Sequence, residues 1–157
     1  DELEDTNIIF TKANSDTDGR IINGMIDEYV SINSHKSVGF TSLGQLRYLS
    51  ALKFVDAAVG NSSSGLIEVP SFNIGTINIG DRQKGRIKAQ SVIDCEPLKN
   101  SIKEALEKLY SKEFQSLLED VKNPYGDGNS SKKILKEIKD VSLYGILKKS
   151  FYDIKVD

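Results

Sequence analysis

The residues best suited to chemistry stand together in one run, 59–68 (VGNSSSGLIE). A short apolar stretch ends in Gly60-Asn61-Ser62-Ser63-Ser64-Gly65 and turns directly into a segment with the spacing of a helix start. The first N–H groups of a helix have no intrahelical acceptor, so such a turn with three hydroxyls is a ready anion site. Phosphate or diphosphate is its natural guest. Glu68 lies four residues beyond Ser64, on the same face of the first turns. A carboxylate does not bind phosphate, but it can accept paired hydrogen bonds from vicinal hydroxyls, as acidic residues do with ribose in nucleotide folds. The competing reading is plain helix capping, with Glu68 as a favourable first-turn acid. The run lacks the Gly-Lys-Ser/Thr ending of a Walker A loop.

A second run, 78–86 (NIGDRQKGR), follows an apolar stretch and carries Arg82 and Arg86. The planar guanidinium fork suits phosphate oxygens; solvated surface charge is the alternative. Two other segments imitate calcium loops. Residues 14–19 and 123–128 place oxygen donors before a Gly, but Met25 and Ile134 stand where an EF-hand needs a bidentate acid. Capping and tight turning are expected there instead. His35 falls between a helix and a strand, with no partner in a Ser-His-Asp arrangement, and is read as a surface loop residue. Cys95 has no activating neighbour and is read as a partly buried, inert thiol. No catalytic residue, metal site or cofactor is assigned.

These loops need elements to hold them. Brief β-branched or apolar runs at 7–11, 37–41, 57–60, 75–79 and 91–94 read as buried strands. Between them, Ile21, Ile22, Met25, Ile26 and Tyr29 recur at helical spacing up to about residue 34, and Leu43, Leu46, Leu49 and Leu52 mark a second helix. A short helix is expected from Gly65 to about Val69, closed by Pro70. The last third reads as helices over 98–111, 113–121 and from Ser130 or Ser131 to about Asp140, then a basic-aromatic tail, 142–157. Strands alternating with helices predict an α/β fold: a Rossmann-like, mostly parallel sheet with helices on both faces, three layers in all. Ligands in such sheets bind at the carboxyl ends of the strands, which singles out the loops after Thr11, Thr41, Gly60 and Ile79.

Composition agrees with one domain spanning 1–157. The chain has 157 residues, 38% of them hydrophobic, with 21 basic and 23 acidic side chains and a net charge of −2. That balance argues against a general nucleic-acid binder or a polybasic membrane patch, and no apolar run approaches the ~20 residues that span a bilayer. The single cysteine excludes an intramolecular disulfide framework. A cytoplasmic domain is expected. No signal-peptide pattern is present, and the start at Asp1, without Met, is expected of a fragment.

Taken in order, the runs 60–68, 78–86 and 123–128 (NPYGDG) resemble the UDP-N-acetylglucosamine 2-epimerase family, most closely its hydrolysing branch, which makes N-acetylmannosamine for sialic acid synthesis. The resemblance covers roughly 7–140. It implies the C-terminal half of a glycosyltransferase-B-type architecture, with UDP and UDP-N-acetylglucosamine as ligands. By that resemblance, Ser62, Ser63 and the adjoining Ser64 and Gly65 would hold the diphosphate, Glu68 the ribose hydroxyls, and Arg82 would lie on the diphosphate side. The loop at Ser42 and Leu43 would face uracil through backbone groups. The family's catalytic acids lie in an N-terminal domain absent from this chain. The implied whole enzyme eliminates UDP and hydrates the resulting glycal; this chain alone is expected to be inactive, with the missing domain as its partner and a homo-oligomer possible in the whole enzyme. Two alternatives stay open: the equivalent domain of a glycosyltransferase, or a non-catalytic interaction domain on the same frame.

Overall fold

The structure, a computed structural model, describes residues 3, 5–14 and 17–148. Most of the predicted tail, 149–157, lies outside the described residues. Among the described residues five strands occur, with a helix between each successive pair except β4 and β5: β1 (Ile8–Thr11), α1 (Gly19–Ile32), β2 (Ser37–Phe40), α2 (Gly44–Ala51), β3 (Ala57–Gly60), α3 (Ser64–Ile67), β4 (Gly75–Ile79) and β5 (Val92–Cys95). Helices α4 (Lys99–Leu109), α5 (Lys112–Glu119) and α6 (Ser130–Asp140) follow. Every strand pair is parallel, as the α/β reading requires. The strands fall into two hydrogen-bonded sheets, β1-β2 and β3-β4-β5.

The core sits on the three-stranded sheet. Ile77, Ile93 and Cys95 from β4 and β5 pack with Ala105 and Leu109 of α4 and Phe114 and Leu118 of α5. Helices α4 and α5 approach β4 so closely that a Cβ on Gly75 would lie 2.2 Å from Leu109 Cδ1; glycine is needed for that contact. Leu109 is fully buried, and truncating a side chain so enclosed costs about 2–5 kcal/mol. Ser111 caps α5, its side chain accepting the Phe114 N–H at 3.2 Å.

The two-stranded sheet is thinner. Ile26 and Val30 pack α1 onto β2, their Cγ2 atoms standing 3.7 and 3.6 Å from where a Gly39 Cβ would be. Phe10 meets Tyr29 edge-on, with ring centroids 5.6 Å apart. Ile21 and Met25, expected in the apolar stripe of α1, are exposed instead. Helix α2 is shorter than its leucine spacing suggests, with Leu52 buried beyond its end and Leu46 exposed. Helix α3 has a single turn, and Pro70 lies inside a 3-10 turn, Val69–Phe72, rather than closing the helix. Among the described residues no helix is long and apolar enough to cross a membrane.

Candidate functional site

A cleft of ≈ 610 Å³ opens where the carboxyl ends of β1, β2 and β3 come together. On one wall are Ser62, Ser64, Gly65 and Glu68; on another, residues 41–45 with Leu43 among them, then Tyr48 of α2. Ser63 and Arg82 are not among the lining residues. Ser63 is half-buried at the N-cap of α3 with no side-chain cap bond, and Arg82 is exposed on the loop after β4.

The serine turn is built tightly. The Gly65 N–H donates to the Ser62 carbonyl at 3.2 Å, and the Leu66 and Ile67 N–H groups both donate to the Ser63 carbonyl at 3.0 Å. The Ser64 N–H leans on Ser62 Oγ at 3.4 Å. The turn therefore consumes several of the amides that a longer helix would leave open, and the amides of Ser62 and Ser63 are those it does not use. Gly65 is pressed against β4, where Thr76 Oγ1 donates to its carbonyl at 2.8 Å. The opposite wall begins at Ser42, whose Oγ accepts the Gly44 N–H at 3.1 Å. Gly44 itself has φ 63, a left-handed conformation that starts α2 at the cleft edge.

Tyr48 joins the two walls, and the sequence reading passed over it. Its hydroxyl is hydrogen bonded to Ser64 Oγ. Partial burial is the main cause that pushes the phenol above its ordinary value; the Ser64 hydrogen bond opposes this and the Glu68 carboxylate adds to it. Tyr48 therefore stays protonated at neutral pH, a neutral hydroxyl between an anion turn and a carboxylate. The signal was available: Tyr48 is the polar-tipped aromatic on the helix that follows the Ser42-Leu43 loop. Lys12 was also passed over. It lines the cleft after β1 and is held by Asp27 at 2.7 Å.

Two further contacts fix the serine turn from outside. Gln83, almost fully buried on the Arg82 loop, donates through Nε2 to the Asn61 carbonyl at 2.7 Å. Asn123, from the NPYGDG run, donates through Nδ2 to the Ile67 carbonyl at 2.8 Å and to Ser71 Oγ at 2.7 Å. Tyr125 of the same run donates to the Ile87 carbonyl at 2.9 Å. This loop is a brace, and its turn is local: the Tyr125 N–H donates to Asn123 Oδ1 and the Asn129 N–H to Asp127 Oδ1.

His35 is exposed in the turn between α1 and β2. Cys95 is a buried free thiol at the end of β5, and burial followed by the Asp94 and Glu96 charges pushes its pKa up, away from reactivity. Neither lines the cleft. The lining residues offer hydroxyls, amides, one carboxylate and one ammonium, the equipment for holding a polar anionic ligand.

Residues 1–139 match the family described as UDP-N-acetylglucosamine 2-epimerase. Over 155 residues the chain is 48% identical to a GDP/UDP-N,N'-diacetylbacillosamine 2-epimerase (hydrolyzing) of Campylobacter jejuni, covering 98% of this chain and 40% of that protein. It is 38% identical over 147 residues to the polysialic acid biosynthesis protein P7 of Escherichia coli, covering 93% of this chain and 37% of that one. Among solved structures, the UDP-GlcNAc 2-epimerase of Methanocaldococcus jannaschii, in complex with UDP-GlcNAc and UDP, superposes with a TM-score of 0.66 at 20% identity, over 86% of this chain and 36% of that one. A putative UDP-N-acetylglucosamine 2-epimerase of Listeria monocytogenes gives the same TM-score at 21% identity, over 98% of this chain and 40% of the other.

Proposed function

Because this chain belongs to the UDP-N-acetylglucosamine 2-epimerase family, we propose that it is the nucleotide-binding domain of a hydrolysing UDP-sugar 2-epimerase and that its cleft holds UDP. One observation carries the reading: Ser62, Ser64 and Glu68 line a single cleft with the Ser42-Leu43 loop. Hydroxyls and the spare amides of Ser62 and Ser63 suit a diphosphate. Glu68, four residues further along, suits the ribose hydroxyls. Backbone groups at Leu43 suit the base, and Arg82, on the loop that Gln83 ties to Asn61, suits the outer phosphate oxygens.

In the whole enzyme, a base removes the proton at sugar C2, UDP leaves, and water adds to the glycal to give the 2-epimer. The cleft of this chain contributes leaving-group binding. Holding the developing diphosphate charge lowers the barrier to elimination. The chain spans about 40% of its 48%-identical relative, and the groups that move protons are placed in the part of the architecture it does not span, so these 157 residues alone are expected to bind without turnover. The sugar is a 2-acetamido sugar. Relatives named for N,N'-diacetylbacillosamine at 48% and 34% identity favour a diacetamido-trideoxy sugar over N-acetylglucosamine as the preferred substrate.

The test is a calorimetric titration of the chain with UDP and with ADP, repeated on Glu68→Ala and on Ser62→Ala, whose hydroxyl lines the cleft. Binding in the high micromolar to millimolar range, about −4 to −6 kcal/mol, is expected for half a cleft. UDP should beat ADP, and both variants should lose it. Equal, unaffected binding of both nucleotides refutes the assignment. Assay of the longer protein with UDP-N-acetylglucosamine and with UDP-N,N'-diacetylbacillosamine decides the sugar.

A further inference from the structure

The loop after β1 is assigned to no part of the nucleotide, yet Lys12 and Asn14 line the cleft. Its place in the fold says what crosses it. Residues of β1 and of β3 line the cleft, whereas none of β2 does. Strand β1 therefore stands nearer β3 than its partner β2 does, and the carboxyl-end loops come in the order 41–45, 12–14, 60–65. A ligand that reaches from the Ser42-Leu43 loop to the serine turn passes over 12–14.

Helix α1 grips this loop residue by residue. Gly19, Asn23 and Asp27 are spaced by four and form one ridge of α1. Asp27 holds the Lys12 ammonium at 2.7 Å. Asn23 engages the Ala13 backbone twice: its Oδ1 accepts the Ala13 N–H at 2.8 Å, and its Nδ2 donates to the Ala13 carbonyl at 3.3 Å. Gly19 is buried, and a Cβ there would collide with the Asn14 carbonyl oxygen. Loop residues 12, 13 and 14 thus meet successive turns of α1 in reverse order. From the other side, the Lys12 N–H donates to the Phe40 carbonyl at 2.9 Å.

We infer, on the reading that the cleft holds UDP, that Asn23 is a positioning residue for the nucleotide: it fixes the 12–14 loop where a ligand lying across the cleft meets it. Asn23 is not among the lining residues, so it acts through Ala13 and not by touching the ligand. Of the three contacts along the ridge, its amide contributes most. Asp27 is exposed, and an exposed ion pair adds little. Asn23 and Ala13 are both half-buried, and the carboxamide supplies a donor and an acceptor to backbone groups that would otherwise lose their partners. Loops that bind ligands depend on such anchoring to a rigid element, because a small displacement of the contacting groups is enough to lose the ligand.

Amide chemical shifts followed through a UDP titration of the full chain test this, in the wild type and in Asn23→Ala, Asn23→Asp and Asn33→Ala. Asn33, at the far end of α1 and away from the cleft, makes the same kind of bond, its Nδ2 donating to the Tyr29 carbonyl at 3.0 Å. It therefore controls for lost helix stability. In the wild type, UDP should shift the amides of Ala13 and Asn14 together with those of the serine turn. Asn23→Ala should weaken UDP about fivefold or more, while Asn23→Asp, which keeps the acceptor for the Ala13 N–H, should stay within about threefold of the wild type. Asn33→Ala should melt earlier yet bind UDP within about twofold of the wild type. Full affinity in Asn23→Ala, with the serine turn still shifting, overturns the inference and leaves the nucleotide site standing. An equal loss in Asn33→Ala also overturns it, since Asn23 would then serve stability alone. If Asn23→Ala does not fold, the wild type decides: a serine turn that shifts while Ala13 and Asn14 stay unmoved overturns the inference. Absence of any shift at the serine turn refutes the nucleotide assignment itself, and the role of Asn23 with it.

Discussion

Gly65 and Thr76 lock the serine turn to the central strand β4. The Thr76 hydroxyl donates to the Gly65 carbonyl at 2.8 Å, while a Cβ on Gly65 would lie 2.7 Å from Thr76 Cγ2. The methyl cannot rotate away without giving up the buried hydrogen bond. Gly65→Ala is therefore expected to destabilise the domain by about 1–3 kcal/mol and to weaken UDP binding by shifting the turn. Gly65→Ala with Thr76→Ser removes the offending methyl, keeps the hydroxyl and should recover most of both losses. Urea melts and UDP titrations of the two variants check this; equal destabilisation by single and double variants refutes the steric account.

Glu68 shares the cleft with Ser62 and Ser64 but, as a carboxylate, accepts hydrogen bonds rather than binding phosphate. If the donor is a ribose hydroxyl pair, Glu68→Gln should cost UDP about tenfold or more in affinity, since hydrogen bonds to a charged acceptor are worth about 1.5–3 kcal/mol. The wild-type chain should prefer UDP over its 2'-deoxy analogue, and the variant should not. A variant that still discriminates between the two would move the ribose elsewhere.

Tyr48 gives a pH signature. Its phenol is raised above the ordinary 10.0, chiefly by burial, with the Glu68 charge adding to the effect. A group whose folded pKa is raised contributes stability in full below the unfolded value, and that contribution is lost as pH rises through the folded one. Wild-type stability should therefore fall above about pH 10. Tyr48→Phe should flatten this alkaline limb while weakening UDP binding, because Ser64 loses its partner. Chemical denaturation between neutral pH and pH 11 reads the first effect, and an unchanged limb in the variant would assign the alkaline loss to other groups.

Much of this was legible in the sequence, for identifiable reasons. The strands declared themselves because parallel strands covered on both faces become short apolar runs, as in Gly75–Ile79. The serine turn was legible because hydroxyls and glycines after a strand have few other uses. For Tyr48 the sequence shows a polar-tipped aromatic after the Ser42-Leu43 loop but not its contact, because its partner Ser64 is sixteen positions away and only packing brings them together. The exposed Ile21 and Met25 were unreadable for a related reason: helical spacing tells which residues share a face, not whether anything covers that face. The split of the strands into two sheets is a matter of pairing, on which local periodicity is silent.

Asp94 supplies the acid counterpart. Burial raises its carboxyl, but hydrogen bonds from Lys88 and Asn78 and the Lys88 charge outweigh burial and hold it below the usual range. Stability from a depressed carboxylate is present above the unfolded pKa and lost as pH falls through the folded one. Asp94→Asn should therefore reduce stability at neutral pH and remove part of the decline below about pH 4. Denaturation curves from pH 2 to 7 on both proteins check the sign. Asn78 is buried and loses its acceptor if the new amide turns its nitrogen inward.

Asn123 separates brace from turn. Its Nδ2 holds the Ile67 carbonyl and Ser71 Oγ, while its Oδ1 accepts the Tyr125 N–H at 2.9 Å. Asn123→Asp keeps the acceptor that makes the turn and loses the donor that makes the brace; Asn123→Ala loses both. Each lost hydrogen bond of this kind is worth about 1 kcal/mol. Ile67 immediately precedes Glu68, so releasing its carbonyl frees the carboxylate to drift from the ribose position. Asn123→Asp should then lower UDP affinity nearly as much as Asn123→Ala does, while Asn123→Ala alone also loosens the 123–128 loop. Titration of both variants, with proteolysis of the loop as the second readout, decides it: full UDP affinity in Asn123→Asp would show that the brace does not act on the cleft.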